Sequence, residues 1–296
     1  MYHRAVSETT TWRTLLGTHP ATRALRQGQV SSPRVPLAFV DVPVPNKAFK
    51  RVVRDLEFDV AEIALMTFLM ARSRGVPLRL LPVVVFSRNP LPYFVCHSDR
   101  AMRPVDMAGA RLGVRSYSTT TAVWLRAVMA GQCGVSFDRA QWTTIEEGHV
   151  AGVPDPPNVR RAAEGADLVS MLREGALDAV IVDPVPTGEG FAPVVPDPDA
   201  TYGAWQQSTG AQTVNHMICI RESLAHDEAA MRDLFDLFRE SRALAGTSHD
   251  LRTTPLSLEA NRQNLEVAIE AASAQHLLTR RLSVDDLVTD AIASLT

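Results

Sequence analysis

Residues 113–128, which read GVRSYSTTTAVWLRAV, join a short apolar strand to an amphipathic helix through a run of hydroxyl-bearing residues. The first N–H groups of a helix have no partner within the helix, and the helix dipole adds positive potential at this end. A carboxylate or phosphate binds readily at such a position. The stretch therefore predicts an anion site at the start of the helix. The candidate binding residues are Ser116, Tyr117, Ser118, Thr119 and Thr120.

A purely structural interpretation of the same stretch is also open. Every helix needs a cap, and Ser118 or Thr119 can supply one by accepting a backbone N–H. Gly131 is expected to end the helix.

Strand-like and helical patterns alternate along the whole chain, which is typical of α/β proteins with mainly parallel sheets. The predicted strands cover residues 37–42, 78–86, 93–97, 111–115, 179–183 and 214–220. The predicted helices cover residues 46–54, 61–73, 119–130 and 167–174, and most of the chain after residue 222 is expected to be helical. Ser283 is the expected N-cap of the last helix.

A short internal sequence repeat indicates two lobes. The stretches RDLEFDVAEI (54–63) and REGALDAVIV (173–182) share a helix end, a short break, an apolar residue, Asp and then a buried strand. Unless the short match is chance, two similar units lie more than a hundred residues apart. The predicted first lobe is discontinuous, with residues 1–98 and 213–296, and the second lobe holds residues 99–212.

Composition excludes several classes of protein. The 296 residues carry a net charge near −3 with 46% apolar residues and no Lys/Arg run, so no nucleic acid and no membrane are expected as partners. The first forty residues lack a continuous apolar segment, which predicts a cytoplasmic location. Cys96, Cys133 and Cys219 lie far apart and are expected to be free and buried. Assembly into a homo-oligomer stays open.

Several stretches resemble a known family when taken together and in order. They are TRALRQG (22–28), EFDVAEIAL (57–65), the Ser87-Arg88 pair after a strand, GVRSYSTTTAVWLRAVM (113–129), GALDAVIV (175–182) and RRLSVDDL (280–287). The chain resembles the type II periplasmic-binding-protein fold and, within it, the 4,5-dihydroxyphthalate decarboxylase-like group. This resemblance implies an α/β protein of two lobes with a ligand cleft between them. A fold by itself does not fix a function.

Two segments depart from the family pattern. After the Ser-Arg pair the family typically continues with Phe-Arg-His, whereas this chain reads NPLPYF at residues 89–94. Before TRALRQG the usual Tyr-Asp-Arg-like start is replaced by HPA at residues 19–21. These differences remove a cation and an imidazole that could serve an aromatic diacid.

Ser87 and Arg88 are candidate substrate-binding residues because they follow a buried run. Ligands of open α/β sheets bind at the carboxyl ends of strands, and a guanidinium can hold a carboxylate through two hydrogen bonds. A surface arginine in a loop is the alternative. Glu62 is expected one turn into a helix, where it could transfer a proton or orient a hydroxyl. It could equally be a structural residue that favours the helix dipole.

Histidines are the natural proton carriers near neutral pH. His216 interrupts an apolar strand at the predicted return to the first lobe, and family members often carry a Met-His-like pair nearby. His19 follows the first short strand and precedes Pro20, in a loop that could reach the cleft. Both are candidate catalytic residues, with a structural histidine and a surface histidine as the respective alternatives.

Two further residues are candidates for substrate binding. Asp183 ends a strand of the second lobe and would face the cleft, or it simply initiates a turn before Pro184. Trp142 could stack on an aromatic ring, or it packs in the second lobe. Glu146 and His149 have ligand-type side chains, but without a close third partner they offer only a weak case for a divalent metal.

Together these features predict a lyase, most simply a decarboxylase, that acts without an organic cofactor on a small hydroxylated aromatic acid. The expected partner is this small carboxylate. A non-catalytic solute-binding or sensor protein of the same fold is one alternative. The other is a biosynthetic lyase or dehydratase with a non-aromatic acid.

Overall fold

The first sheet forms the centre of one lobe. The computed structural model describes residues 11–42, 44–188, 190–246 and 255–295. Within them, the strand order of this sheet is β2-β1-β3-β11-β4. Its strands are β1 (Trp12–Leu15), β2 (Leu37–Phe39), β3 (Val60–Ala64), β4 (Leu78–Ser87) and β11 (Val214–Arg221). Strand β1 pairs in parallel with β2 and β3, whereas β11 runs antiparallel to β3 and β4.

The second sheet forms the centre of the other lobe, with the order β10-β5-β9-β6-β7-β8. Its strands are β5 (Phe94–His97), β6 (Arg111–Val114), β7 (Gln141–Thr144), β8 (Val159–Arg161), β9 (Ala179–Ile181) and β10 (Phe191–Pro193). The pairs among β6, β7, β8 and β9 are parallel, and β5 is antiparallel to both β9 and β10. The chain is therefore a two-lobed α/β protein, which confirms the predicted fold class.

The boundary between the lobes lies earlier in the chain than predicted, because strand β5 belongs to the second sheet. The predicted first lobe reached residue 98, but Phe94–His97 pairs with strands of the second sheet, so the chain crosses between Ser87 and Phe94. The local sequence shows that these residues form a strand, but only distant partners decide which sheet it joins. Strand β11 lies in the first sheet, directly after the return predicted at residue 213.

Strand β3 replaces the first turn of a predicted helix. All five of its residues are buried, and it lies in the middle of the sheet between β1 and β11. A short apolar run that is buried on both faces has no alternating pattern, so periodicity cannot separate it from a helix. Helix α3 (Leu65–Ser73) begins only after this strand. Glu62 is consequently a strand residue.

The internal sequence repeat forms the same local structure in both lobes. Asp59 precedes β3 and accepts a hydrogen bond from the Arg13 N–H at 2.8 Å, while its own N–H donates to the Arg13 carbonyl. Asp178 precedes β9 and makes the same pair of bonds with the backbone of Arg111, with 2.7 Å from the N–H to its carboxylate. Each aspartate thus extends the pairing of two parallel strands by one residue. The two lobes share this local unit.

Helix α4 (Thr120–Cys133) follows β6 and lies against both lobes. Its buried Trp124 donates from Nε1 to the carbonyl of Val214 at 2.8 Å, which ties the helix to β11. The helix ends at Gly134 in a left-handed conformation with φ 63°, not at Gly131 as predicted. Gly131 lies within the helix, and a side-chain carbon there would make only ordinary contact with Trp205.

The other helices cover the two sheets. They are α1 (Arg23–Arg26), α2 (Phe49–Arg54), α5 (Leu168–Arg173), α6 (Pro198–Thr209), α7 (Glu228–Leu244), α8 (Leu258–Ala274) and α9 (Asp290–Ala293). The predicted last helix is divided into a 3₁₀ turn, Asp285–Leu287, and helix α9. Ser283 accepts the N–H of Asp286, but the N-cap residue of the turn is Val284. Cys96 and Cys219 are buried, Cys133 is half-buried, and all three are free. No helix among the described residues is long and apolar enough to cross a membrane.

Candidate functional site

A cleft of about 930 Å³ lies between the lobes and adjoins a smaller cavity of about 120 Å³. Both are lined from the two lobes at once. The residues that line both are Asn46, Arg88, Arg115, Thr119, Thr121, His149 and Asp183. The small cavity is also lined by Phe49, Ala64, Thr67, Phe86, Thr120, Asn215 and His216. The larger space has the size of ordinary small-molecule sites.

Glu62 holds two histidines beneath the small cavity. His216 on β11 contacts the Glu62 carboxylate, with 2.7 Å between Nδ1 and Oε1. The Nε2 of His19 lies 3.1 Å from the same oxygen. The N–H of Gly17 donates to Oε2 at 2.8 Å. A side chain at Gly17 would collide with both His19 and Glu62, so this close approach requires glycine.

Glu62 is ionised although its side chain is only 1% exposed. Burial by itself would raise the pKa of this carboxyl, but the hydrogen bonds from His19 and His216 outweigh it and hold the pKa well below its usual range. The carboxylate fixes the orientation of the His216 ring through Nδ1. The Nε2 of His216 is the ring nitrogen left for a ligand in the small cavity.

His149 approaches His216 from the second lobe. It lies in the loop after β7, and its Nδ1 is 2.9 Å from the Thr67 hydroxyl of helix α3 in the first lobe. Its ring packs edge-on against Phe49, which also contacts the ring of His216. Burial, with the positive charges of Arg115 and Lys50, lowers the pKa of His149 to about 4. At neutral pH this imidazole is therefore uncharged and retains one unprotonated nitrogen.

The lowered pKa of His149 predicts a pH-dependent stability. From pH 7 to pH 5 the unfolded chain takes up a proton on His149, with an ordinary pKa of 6.5, whereas the folded chain does not. The contribution of His149 is thus complete above about pH 6.5 and is lost as the pH falls toward 4. We expect a loss of about 2 kcal/mol between pH 7 and pH 5.

Urea unfolding at pH 7, 6 and 5 measures this loss when the wild type is compared with His149→Gln, which cannot titrate. The difference in unfolding free energy between the two proteins should shrink as the pH falls. Exposed His226 provides the matched control, because His226→Gln should track the wild type at every pH. A pH-independent difference for His149→Gln would contradict the neutral, buried state of this ring.

Arg88 crosses the cleft from the end of β4. One guanidinium nitrogen donates to Oδ2 of Asp183 in the second lobe at 2.6 Å, and the other donates to the Thr121 hydroxyl at 2.7 Å. Its Nε is buried and has no partner among the residues that the structure describes. The guanidinium also lies 4.0 Å over the ring of Tyr93. Arg88 is thus a fixed cation inside the cleft rather than a surface side chain.

The start of helix α4 supplies polar groups to the same space. Thr119 is the N-cap residue and makes no side-chain cap bond. The Thr121 hydroxyl accepts from both Arg88 and the Asn215 amide. Asn215 is 3% exposed, and its Oδ1 has no partner in the described part of the chain. Arg115 adds a second cation, 3.2 Å from the Glu146 carboxylate.

Several predicted site residues lie outside the cavity walls. Glu62 and His19 lie behind His216 and do not line the cleft. Ser87 has its hydroxyl buried at the end of β4. Ser116 and Ser118 are buried with their hydroxyls beside Gly148. The residues from Thr119 onward, not the whole hydroxyl run, therefore reach the cleft.

Tyr117 and Trp142 are not brought to the cleft. Their rings pack edge-on, 5.7 Å apart, and the buried guanidinium of Arg126 lies 4.0 Å over Tyr117. Trp142 also contacts Phe137 in the interior of the second lobe. Trp142 was predicted to stack on an aromatic ligand ring, but on strand β7 its side chain is buried in the core of the second lobe.

Sequence reasoning missed other residues of the cleft. They are Thr67, Arg115, Thr121, His149 and Asn215. Asn215 is next to His216 and Thr121 follows the hydroxyl run, so both had a local signal. His149 was considered only as a metal ligand with Glu146. The described residues hold no group of three or more His, Cys, Asp or Glu side chains that could bind a metal ion.

The fold defines the class of protein. The structure matches that of the periplasmic aliphatic sulphonate binding protein SsuA from Escherichia coli, with a TM-score of 0.56 and 13% sequence identity. The match covers 95% of this chain and 92% of that protein. The protein therefore has the periplasmic-binding-protein fold, with its cleft between two α/β lobes. No protein-family model matches the sequence.

Sequence comparison is more specific. The chain is 25% identical over 248 residues to a 4,5-dihydroxyphthalate decarboxylase from Comamonas testosteroni, which covers 78% of this chain and 74% of the relative. It is 27% identical over 175 residues to a 4,5-dihydroxyphthalate decarboxylase from Pseudomonas putida, with 56% of this chain and 67% of that protein aligned. The resemblance to the 4,5-dihydroxyphthalate decarboxylase-like group is thereby confirmed.

Proposed function

We propose that this protein is a decarboxylase of a small hydroxylated aromatic carboxylic acid and that it needs no organic cofactor. One observation carries the proposal. His216, oriented by an ionised and buried carboxylate, presents its free ring nitrogen to a cavity that also holds Arg88 and the start of helix α4. A proton donor therefore stands beside groups that bind an anion. The decarboxylase relatives support this interpretation.

The substrate is held through a carboxylate that is not lost. Arg88, Arg115 and the hydroxyls of Thr119 and Thr121 surround the space where it binds. A cation on the leaving carboxylate would stabilise the ground state more than the transition state, so that group must point away from Arg88. A benzoate derivative with a second acidic group satisfies both requirements. Asp183 now occupies one side of Arg88 and must yield to the substrate.

The reaction exchanges one proton for carbon dioxide. The protonated His216 transfers its Nε2 proton to the ring carbon that bears the leaving carboxylate, and an ortho or para hydroxyl, which keeps its own proton, takes up the positive charge as a protonated keto group. The bond to the carboxylate then breaks, carbon dioxide leaves, and the electron pair restores the aromatic ring and the hydroxyl. Ionised Glu62 stabilises the imidazolium before transfer. The neutral ring of His149 can accept a hydrogen bond from the substrate hydroxyl.

Contacts between the lobes flank the site. Met66 N–H donates to the Thr120 hydroxyl at 3.2 Å, and Lys50 contacts the Glu147 carboxylate at 2.7 Å. Both contacts join the first lobe to the second, where Thr120 lines the small cavity and Lys50 lines the larger cleft. Closure of the lobes on the substrate would exclude water and so strengthen the interactions of Glu62 and Arg88 with charged groups.

Carbon dioxide release from a panel of hydroxylated benzoates and phthalates tests the proposal. We expect release from at least one acid with an ortho or para hydroxyl, and none from the matched acid that lacks it. A chelator should leave the rate unchanged, because the proposed chemistry uses no metal. Loss of activity on chelation would contradict that part.

The second candidate function is non-catalytic binding of a small carboxylate. It is favoured by the shared fold and by the Arg88 and Thr121 arrangement, which alone would hold an anion. The same panel separates the two functions. Tight binding of several acids without carbon dioxide release from any of them would overturn the decarboxylase and support the binding protein.

A further inference from the structure

A second cavity of about 570 Å³ lies away from the interlobe cleft, against the middle of helix α4. It is bounded by α4, the segment after it, α6 and the end of α8. Its lining includes the aromatic side chains of Tyr117, Phe137 and Trp205. Polar side chains of Ser136, Asn158 and Gln275 line it too. The mixture of aromatic rings and a few polar groups is typical of sites for small organic molecules.

Arg126 provides the cavity with a buried cation. Its side chain is 4% exposed, and it donates from Nε to the Gln275 amide oxygen at 2.6 Å and from Nη2 to the Tyr117 carbonyl at 2.8 Å. Both acceptors are neutral. The remaining nitrogen, Nη1, has no hydrogen-bond partner among the described residues. Burial lowers the pKa of Arg126 to about 10, which still leaves the guanidinium charged at neutral pH.

A buried charge with an unused donor is costly unless an anion or polar group compensates it. The rings of Tyr117 and Trp142 lie over the guanidinium at 4.0 and 5.3 Å and offset part of this cost. They cannot accept the Nη1 hydrogen bonds as a carboxylate does. Asp138 and Glu270 also line the cavity, but both are exposed, so solvent screens their charges.

We propose that this cavity is a second binding site for a small aromatic monocarboxylate, with its carboxylate on Arg126 and its ring between Tyr117, Phe137 and Trp205. The single buried cation sets the charge of the ligand. A second carboxylate would find only neutral polar groups such as Ser136 and Asn158, and no second buried cation among the described residues of the lining. The cleft differs, because Arg88 and Arg115 both line it and suit an acid with two anionic groups.

Titration calorimetry with benzoate as the probe tests the site. Arg126→Met keeps the length and packing of the side chain but removes the charge. Ala130→Trp fills the cavity from an exposed position one turn further along α4, and it leaves Arg126 intact. Arg88→Met removes the proposed anchor in the cleft. Benzyl alcohol, which lacks the charge, is the control ligand.

We expect both Arg126→Met and Ala130→Trp to weaken one class of benzoate sites by about tenfold or more, because a charged hydrogen-bonded pair is lost or blocked. Arg88→Met should leave that class unchanged, whether or not the cleft binds benzoate. The proposal fails if wild type does not bind benzoate. It also fails if only Arg88→Met lowers binding. If Arg126→Met does not fold, Ala130→Trp alone decides.

Discussion

Replacing His216 with glutamine is expected to lower the kcat of decarboxylation by about 10²–10⁴-fold, the usual contribution of a positioned general acid. The variant keeps an amide that can donate to Glu62, so the fold and the small cavity should persist. Affinity for the acid should change by less than about tenfold, since Arg88 and the start of helix α4 remain.

Steady-state rates of carbon dioxide release, together with calorimetric affinities for the same acid, check this expectation. His226→Gln makes the same chemical change at an exposed histidine and should retain wild-type kcat. A His216→Gln protein with near wild-type kcat would remove His216 from the proton transfer. A loss of affinity without a change in kcat would instead make it a binding residue.

The fold was predictable from the sequence because strands and helices alternate over most of the chain. The repeated unit that contains Asp59 in one lobe and Asp178 in the other was also recognisable from the local sequence. Both aspartates make the same backbone contacts. The features that the sequence did not predict are those that depend on residues far away in the chain. The sheet to which Phe94–His97 belongs is fixed by pairing with residues 179–181 and 191–193. No local pattern contains that pairing.

The site was less predictable for a related reason. Chemistry-bearing side chains such as His216, Arg88 and Asp183 stand out in the sequence, and the structure places all three at the cleft. The sequence does not show how deeply each of these side chains is buried. Glu62 has the residue type of a group that touches substrate, yet it lies buried behind His216. His149 carries no motif, and only the approach of the two lobes brings it to Thr67.

Replacing Glu62 with glutamine is expected to reduce both stability and kcat. The carboxylate accepts from the Gly17 N–H on one oxygen and contacts both His19 and His216. Glutamine offers one acceptor oxygen and an NH₂ group that must face a donor. Breaking a buried charged network of this kind costs about 3–5 kcal/mol. The loss of the charge that stabilises the His216 imidazolium should lower kcat by about 10²-fold or more.

The pH dependence separates this mechanism from a simple packing defect. Because the pKa of Glu62 is lowered in the folded chain, its stabilisation is complete above the ordinary value of 4.5 and is lost as the pH falls below it. The stability gap between wild type and Glu62→Gln should therefore narrow as the pH falls from 5 to 4. Urea unfolding at pH 5 and pH 4 measures this gap, with exposed Glu266→Gln as the matched control that should show no gap. A gap that stays constant down to pH 4 would mean that the shape of the side chain, and not its charge, stabilises the pair of histidines.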